Sequence, residues 1–286
     1  KCSDLVEIYI MSSRLELKLS ACMLYVYSNL TLGNAKASGR GLEIIRECLK
    51  KEMEAPTSER NTAYCVFAGY MGTVLLHLST EELPDMKKYM SSLPQGLRIF
   101  AANVISHDLY LKGEYSRALG ICDAALFSCK EIYPVGMIYL YCVTAMCEIS
   151  LKNQAEAEKA ILTAWKLAVK DELIEPFIEL HGLLQGLLES CIRKENPEMY
   201  RKISDAVITF SRGWMAVHNP ASDNPVTDAL TTMEFSIAML ACRDWSNREI
   251  AEHMGVSLNT VKHYLTDIFN KLHVKKRDEL KNFVLK

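Results

Sequence analysis

Nine residues near the C-terminus carry side chains suited to hydrogen-bonding an extended polar ligand: Asn247, Ser257, Asn259, Thr260, Lys262, His263, Thr266, Asn270 and Lys271. Of these, Asn259, Lys262, His263, Thr266 and Asn270 recur at helical spacing and form one polar face. Val261, Leu265, Ile268, Phe269 and Leu272, at offsets of four, seven, eight and eleven, form the apolar face opposite. An ammonium, an imidazole and a hydroxyl at Lys262, His263 and Thr266 match the donor and acceptor pattern of base edges in a DNA major groove. Ser257 and Thr260, where this helix begins, and Lys271 suit phosphate oxygens.

Two further helices must hold that polar helix. Thr231 is followed three residues later by Glu234, and Ser246 by Glu249, a spacing in which side chain and backbone cap each other at a helix start. The second of these helices should run through Ile250, Ala251 and Met254, stop at Gly255 and turn through Val256-Ser257 into the third, at about 258–271.

In order, Leu230-Thr231-x-Met233-Glu234, Ser246-Asn247-Arg248-Glu249-Ile250-Ala251, Val256-Ser257, Thr260-Val261-Lys262 and Lys271-Leu272-x-Val274-x-x-Arg277-x-Glu279-Leu280 resemble the LuxR-type domain. The resemblance covers about a fifth of the chain. It implies a four-helix domain whose third helix reads double-stranded DNA, a helix-turn-helix proper over Asn247–Thr266, and a last helix that often mediates dimerisation. Asp244 and His273 stand where the family usually has glycine, so both are expected at positive φ. Tyr264, beside His263, stands where the family often has histidine and implies a different DNA preference.

Upstream, helical periodicity dominates near 3–30, 41–54, 59–78, 85–92, 96–111, 115–130, 135–150, 154–170, 174–193 and 197–214. The fold class is therefore all-α. Lys112-Gly113-Glu114-Tyr115, followed by Ala118, Leu119, Cys122, Ala125 and Leu126, joins two helices in a way that resembles a tetratricopeptide repeat. Leu151-Lys152-Asn153 repeats the turn, with Ala157, Ala160, Ala164 and Ala168 on one face. His218-Asn219-Pro220-Ala221-Ser222-Asp223-Asn224-Pro225 breaks the pattern. The expected division is a helical repeat-like sensor or interaction domain at 1-212, a linker at 213-229 and the LuxR-type domain at 230-286. Repeats joined to this tail also resemble the sensor portion of large ATP-dependent LuxR-class regulators, although no GxxxxGK[ST] is present. Lys1-Cys2-Ser3-Asp4, with no initiator Met and no signal-peptide pattern, reads as the cut end of a longer protein.

The 286 residues carry a net charge of −2, which argues against coating nucleic acid or anionic membrane along the whole length. From Leu230 onward nine Lys or Arg face seven Asp or Glu, so the tail is +2 and the remainder −4. So small a positive charge makes a single copy a weak DNA binder, and a homodimer on paired half-sites is the remedy. Ten cysteines without a CxxC pair, among them Cys22, Cys65, Cys122, Cys142 and Cys147, read as buried thiols of a cytoplasmic protein. No apolar run is long enough to span a membrane.

Other chemistry finds little support. His253, His263 and His273 do not return to one helix face, so no metal is expected. His77, His107 and His181 lie in helical segments without a nucleophile motif, and no GxSxG, HExxH or GxGxxG points to an enzyme or a cofactor. Tyr110, Tyr133, Tyr139, Tyr141 and Trp165 offer aromatic surface for a groove binding a small molecule or protein signal, though helical spacing favours core positions. Gly182-Leu183-Leu184-Gln185-Gly186 permits close helix packing. The chain thus reads as a sequence-specific transcriptional regulator. The competing reading is an interaction scaffold whose tail has lost or masks DNA binding, and burial of Lys262, His263 and Thr266 against the repeats would favour it.

Overall fold

The computed structural model describes residues 8–32, 34–75, 83–218 and 230–280, and among these every regular element is helical and none is a strand. The chain divides into two compact units, one of residues 1–140 with 213–220 and the other of 141–212 with 221–286. The sequence division at 212 is therefore not the spatial one: 141–212 is grouped with the C-terminal helices.

In the first unit, α1 (Leu15–Thr31), α2 (Ala35–Glu54) and α3 (Glu59–Tyr70) enclose a core of Leu19, Cys22, Val26, Leu30, Leu42 and Ile45. The side chains of Asn34 and Ser58 accept from the backbone of Ala37 and Asn61, supplying the caps that start α2 and α3. Helix α3 passes into a π turn at Met71–Leu75, and the part of the expected 59–78 helix that includes His77 lies outside the described residues. The segment near 85–92 is a 3₁₀ helix, Met86–Ser92.

Next, α4 (Gln95–Leu111) packs on α5 (Tyr115–Ser128) as the expected hairpin, its turn made by Gly113 at φ +75°. Tyr110 and His107 are buried on α4, so neither offers an open aromatic surface. Helix α6 (Pro134–Ser150) leads out of this unit.

The second unit begins within α6. A turn with Lys152 at φ +63° connects it to α7 (Gln154–Ala168), whose Ala157, Ala160, Ala164 and Ala168 are all buried. Trp165 is core, its ring 5.7 Å from Phe177 of α8 (Glu175–Glu179) in an edge-on pair. That contact is worth ~1 kcal/mol beyond the area it buries. Helix α9 (Pro197–His218) ends the upstream helices and carries the chain past the expected linker start at 213, while 219–229 lie outside the described residues. Helices α10 (Thr232–Cys242), α11 (Asn247–Met254) and α12 (Leu258–Leu272) follow, with a 3₁₀ turn at Arg277–Leu280.

One expected helix is broken. The periodic segment 174–193 ends its α-helix at Glu179, turns through 180–186 with Gln185 at φ +50° and Gly186 at φ +83°, and resumes as a π turn at Leu188–Ile192. The cause is tertiary: a Cβ on Gly182 would lie 2.7 Å from Phe235 Cε1, and one on Gly186 would collide with Met254 Sδ. The break brings this backbone against α10 and α11. Among the described residues no helix is long and apolar enough to cross a membrane. The nine described cysteines are all free thiols, and burial pushes Cys22 up to about 11 and Cys65 to about 12.

Candidate nucleic-acid interface

The three C-terminal helices begin where the residues dictate. Thr231 accepts from the Glu234 N–H while Glu234 accepts from the Thr231 N–H at 2.7 Å, and Ser246 with Glu249 builds the same reciprocal cap. Helix α11 ends at Gly255 in the left-handed region, φ +64°. Asp244 and His273 also lie there, at +61° and +54°, as expected for glycine-preferring positions occupied by residues that tolerate it.

Val261, Leu265, Ile268 and Leu272 of α12 are buried against α10 and α11, and Phe269 is half-buried. The opposite face is open: Asn259, Lys262, His263, Thr266 and Asn270 are all exposed. The Thr266 hydroxyl is oriented by donating to the Lys262 carbonyl at 3.0 Å. At the helix start the Ser257 hydroxyl accepts from the Thr260 N–H at 3.0 Å and lies 2.8 Å from the Thr260 hydroxyl. These residues converge on one surface.

Asn247 and Lys271 are placed differently. Lys271 Nζ lies 2.7 Å from both carboxylate oxygens of Glu234, a tie from α12 back to α10. Burial alone would raise Glu234, but Lys271 together with the Thr231 N–H and hydroxyl outweighs it and holds the carboxyl below the usual carboxylate range. Asn247 accepts from Arg277 at 3.0 Å. The same guanidinium donates to the carbonyls of Ala241, at 3.0 Å, and Trp245, and so closes the α10–α11 corner. The sequence pattern contains Arg277 but gives no sign of this role, because its partners, two carbonyls and the Asn247 side chain, are thirty or more residues away.

The broken segment and the α6–α7 turn supply a polar seam to α10 and α11. His253, 2% exposed, places Nε2 2.8 Å from the Gln185 carbonyl. Burial holds its imidazole below the ordinary value near 6.5. Ser150 accepts from Gln185 at 3.1 Å and from Arg243 at 2.9 Å. Lys152 bonds Glu249 at 3.1 Å and lies 5.8 Å from the centre of the Trp245 ring. Buried Glu189 pairs with His181 at 2.8 Å. None of these contacts covers the exposed face of α12. The three C-terminal histidines are not brought together: His253 is buried, His263 and His273 are exposed, and among the described residues no group of three or more His, Cys, Asp or Glu is arranged to hold a metal.

Residues 228–284 match the family of bacterial regulatory proteins, luxR family, also termed GerE. The chain is 28% identical over 88 residues to the "Probable transcriptional regulatory protein SgaR" of Hyphomicrobium methylovorum, a match covering 30% of this chain and 40% of that protein. No solved structure matches the chain. The C-terminal segment is a LuxR-family helix-turn-helix domain, a kind of domain that belongs to DNA-binding transcriptional regulators.

Proposed function

We propose that this chain is a sequence-specific transcriptional regulator that lays α12 in the major groove of its operator. The observation that carries this reading is the exposure of Lys262, His263 and Thr266 on the face opposite the buried Val261–Leu272 stripe. On this reading Lys262, His263 and Thr266 reach base edges, with Asn259 and Asn270 flanking them, and Ser257 and Thr260 hold a phosphate. Asn247 and Lys271 are phosphate contacts that serve first as internal ties, and Lys271 must share its ammonium with Glu234. The helical region to about 212 acts as the sensor of a small-molecule or protein signal, and two copies pair on DNA because one tail of charge +2 neutralises few phosphates.

The test is fluorescence anisotropy of labelled duplexes with the full chain and with its Lys262→Ala/His263→Ala variant. Replacing both should cost at least tenfold in specific affinity, at ~1–3 kcal/mol per base contact, and leave the helical circular dichroism unchanged. Equal affinity for the variant would remove these residues from recognition. Absence of binding to promoter-derived and random duplexes alike would favour the scaffold.

A further inference from the structure

Helix α11 is the first helix of the helix-turn-helix, the one that crosses the DNA backbone while α12 sits in the groove. Its own side chains are poorly suited to that position. Arg248 is paired with Glu252 at 3.0 Å, which leaves the carboxylate of Glu249 as an excess negative charge. Held by the Ser246 N–H and hydroxyl and by Lys152, that carboxyl is pushed down to about 2 and so stays ionised. Without a cation beside it, such a carboxylate would repel a phosphate brought to this helix.

Lysines from outside the matched domain sit at both ends of this helix. Lys152, in the positive-φ turn between α6 and α7, reaches Glu249 at the N-terminal end, and its side chain is 56% exposed. Lys194, exposed and without an ion pair among the described residues, lies at the C-terminal end, its Nζ 3.1 Å from where a Cβ on Gly255 would stand. Glu249 and Gly255, the positions these lysines approach, lie six residues apart, about 9 Å along the helix axis. Over 141–212, nine Lys or Arg are outnumbered by eleven Asp or Glu, so it is the placement of these two cations and not the net charge that matters.

Resting on the DNA-binding reading above, we infer that Lys152 and Lys194 extend the DNA interface beyond the helix-turn-helix, each neutralising a backbone phosphate beside α11. The upstream helices then take part in binding directly, and any signal that shifts them against α11 changes affinity without touching the base-reading residues.

The salt dependence of binding tests this with the full chain. Each phosphate contact contributes about 0.9 to the slope of log affinity against log salt. Lys152→Gln and Lys194→Gln should each make the slope shallower by about 0.9 and the double variant by about 1.8, while Lys152→Arg restores it. Glu249→Gln, which removes the carboxylate but keeps the cation, should not reduce the slope. Variants that lower the melting temperature yet retain the full slope would assign the lysines to packing alone and overturn the inference. Failure of the unaltered chain to bind any duplex would overturn the DNA reading, and this with it.

Discussion

His253 Nε2, on the first helix of the helix-turn-helix, lies 2.8 Å from the main-chain carbonyl of Gln185, a residue held at φ +50°. A buried imidazole thus meets a backbone group that an unbroken helix would have kept for itself. The bond joins the helices of the LuxR-type domain to the upstream ones and makes their union sensitive to pH.

Acid should loosen that union. Burial depresses His253, with its bond to the Gln185 carbonyl and then Glu158 and Glu189 opposing it, so the stability it contributes is fully present above its ordinary value near 6.5 and declines as pH falls through that value toward its lowered one. Melting temperatures at about pH 7.5 and 5.5 should differ more for the wild type than for His253→Gln, which keeps a donor but cannot titrate. Equal pH dependence in the two would exclude His253 as the cause.

Gly186→Ala should destabilise the second unit by more than 1 kcal/mol, roughly, since φ +83° strains any side chain and the new Cβ meets Met254 Sδ. In a Met254→Ala background the additional cost should shrink, because only the strain remains. Urea titration of the four proteins gives the coupling, and strict additivity would show that the two residues are not packed as described.

Ser246→Ala removes one cap and should cost ~1 kcal/mol of stability. It also removes the hydroxyl that helps hold Glu249 low, while the Ser246 N–H, the larger cause, stays in place, so that carboxyl should rise from about 2 part of the way toward 4.5. Its contribution in the wild type is complete above 4.5 and is lost as pH falls through about 2. Carboxyl chemical shifts across an acid series would report both numbers, and an unmoved Glu249 in the variant would contradict the reciprocal cap.

Glu234→Gln breaks the tie to Lys271, costing ~1 kcal/mol once solvent screening of the lysine is allowed for. Because Glu234 is held below the usual range, the wild type should lose this contribution as pH falls below that range, and the variant should not. Chemical denaturation at neutral and acid pH distinguishes the two. On DNA the freed ammonium should raise affinity at low salt, and no gain would remove Lys271 from the phosphate contacts.

Local signals determined much of this protein from sequence alone. The two capping boxes, the Gly255 stop, the positive φ of Asp244 and His273, and the buried and exposed faces of α12 all depend on residues within one or two turns of each other. Side-chain spacing therefore sufficed to place the exposed polar face of α12 opposite its buried one. Residues 174–193 show the limit. Their apolar period predicts one helix, and only the approach of Phe235 and Met254 to Gly182 and Gly186 makes the broken path the better one. The same holds for Arg277, Lys152 and Lys194, whose partners lie 30 to 97 positions away in the chain. Periodicity records which face of an element is buried, and only the packed chain decides what that face is buried against.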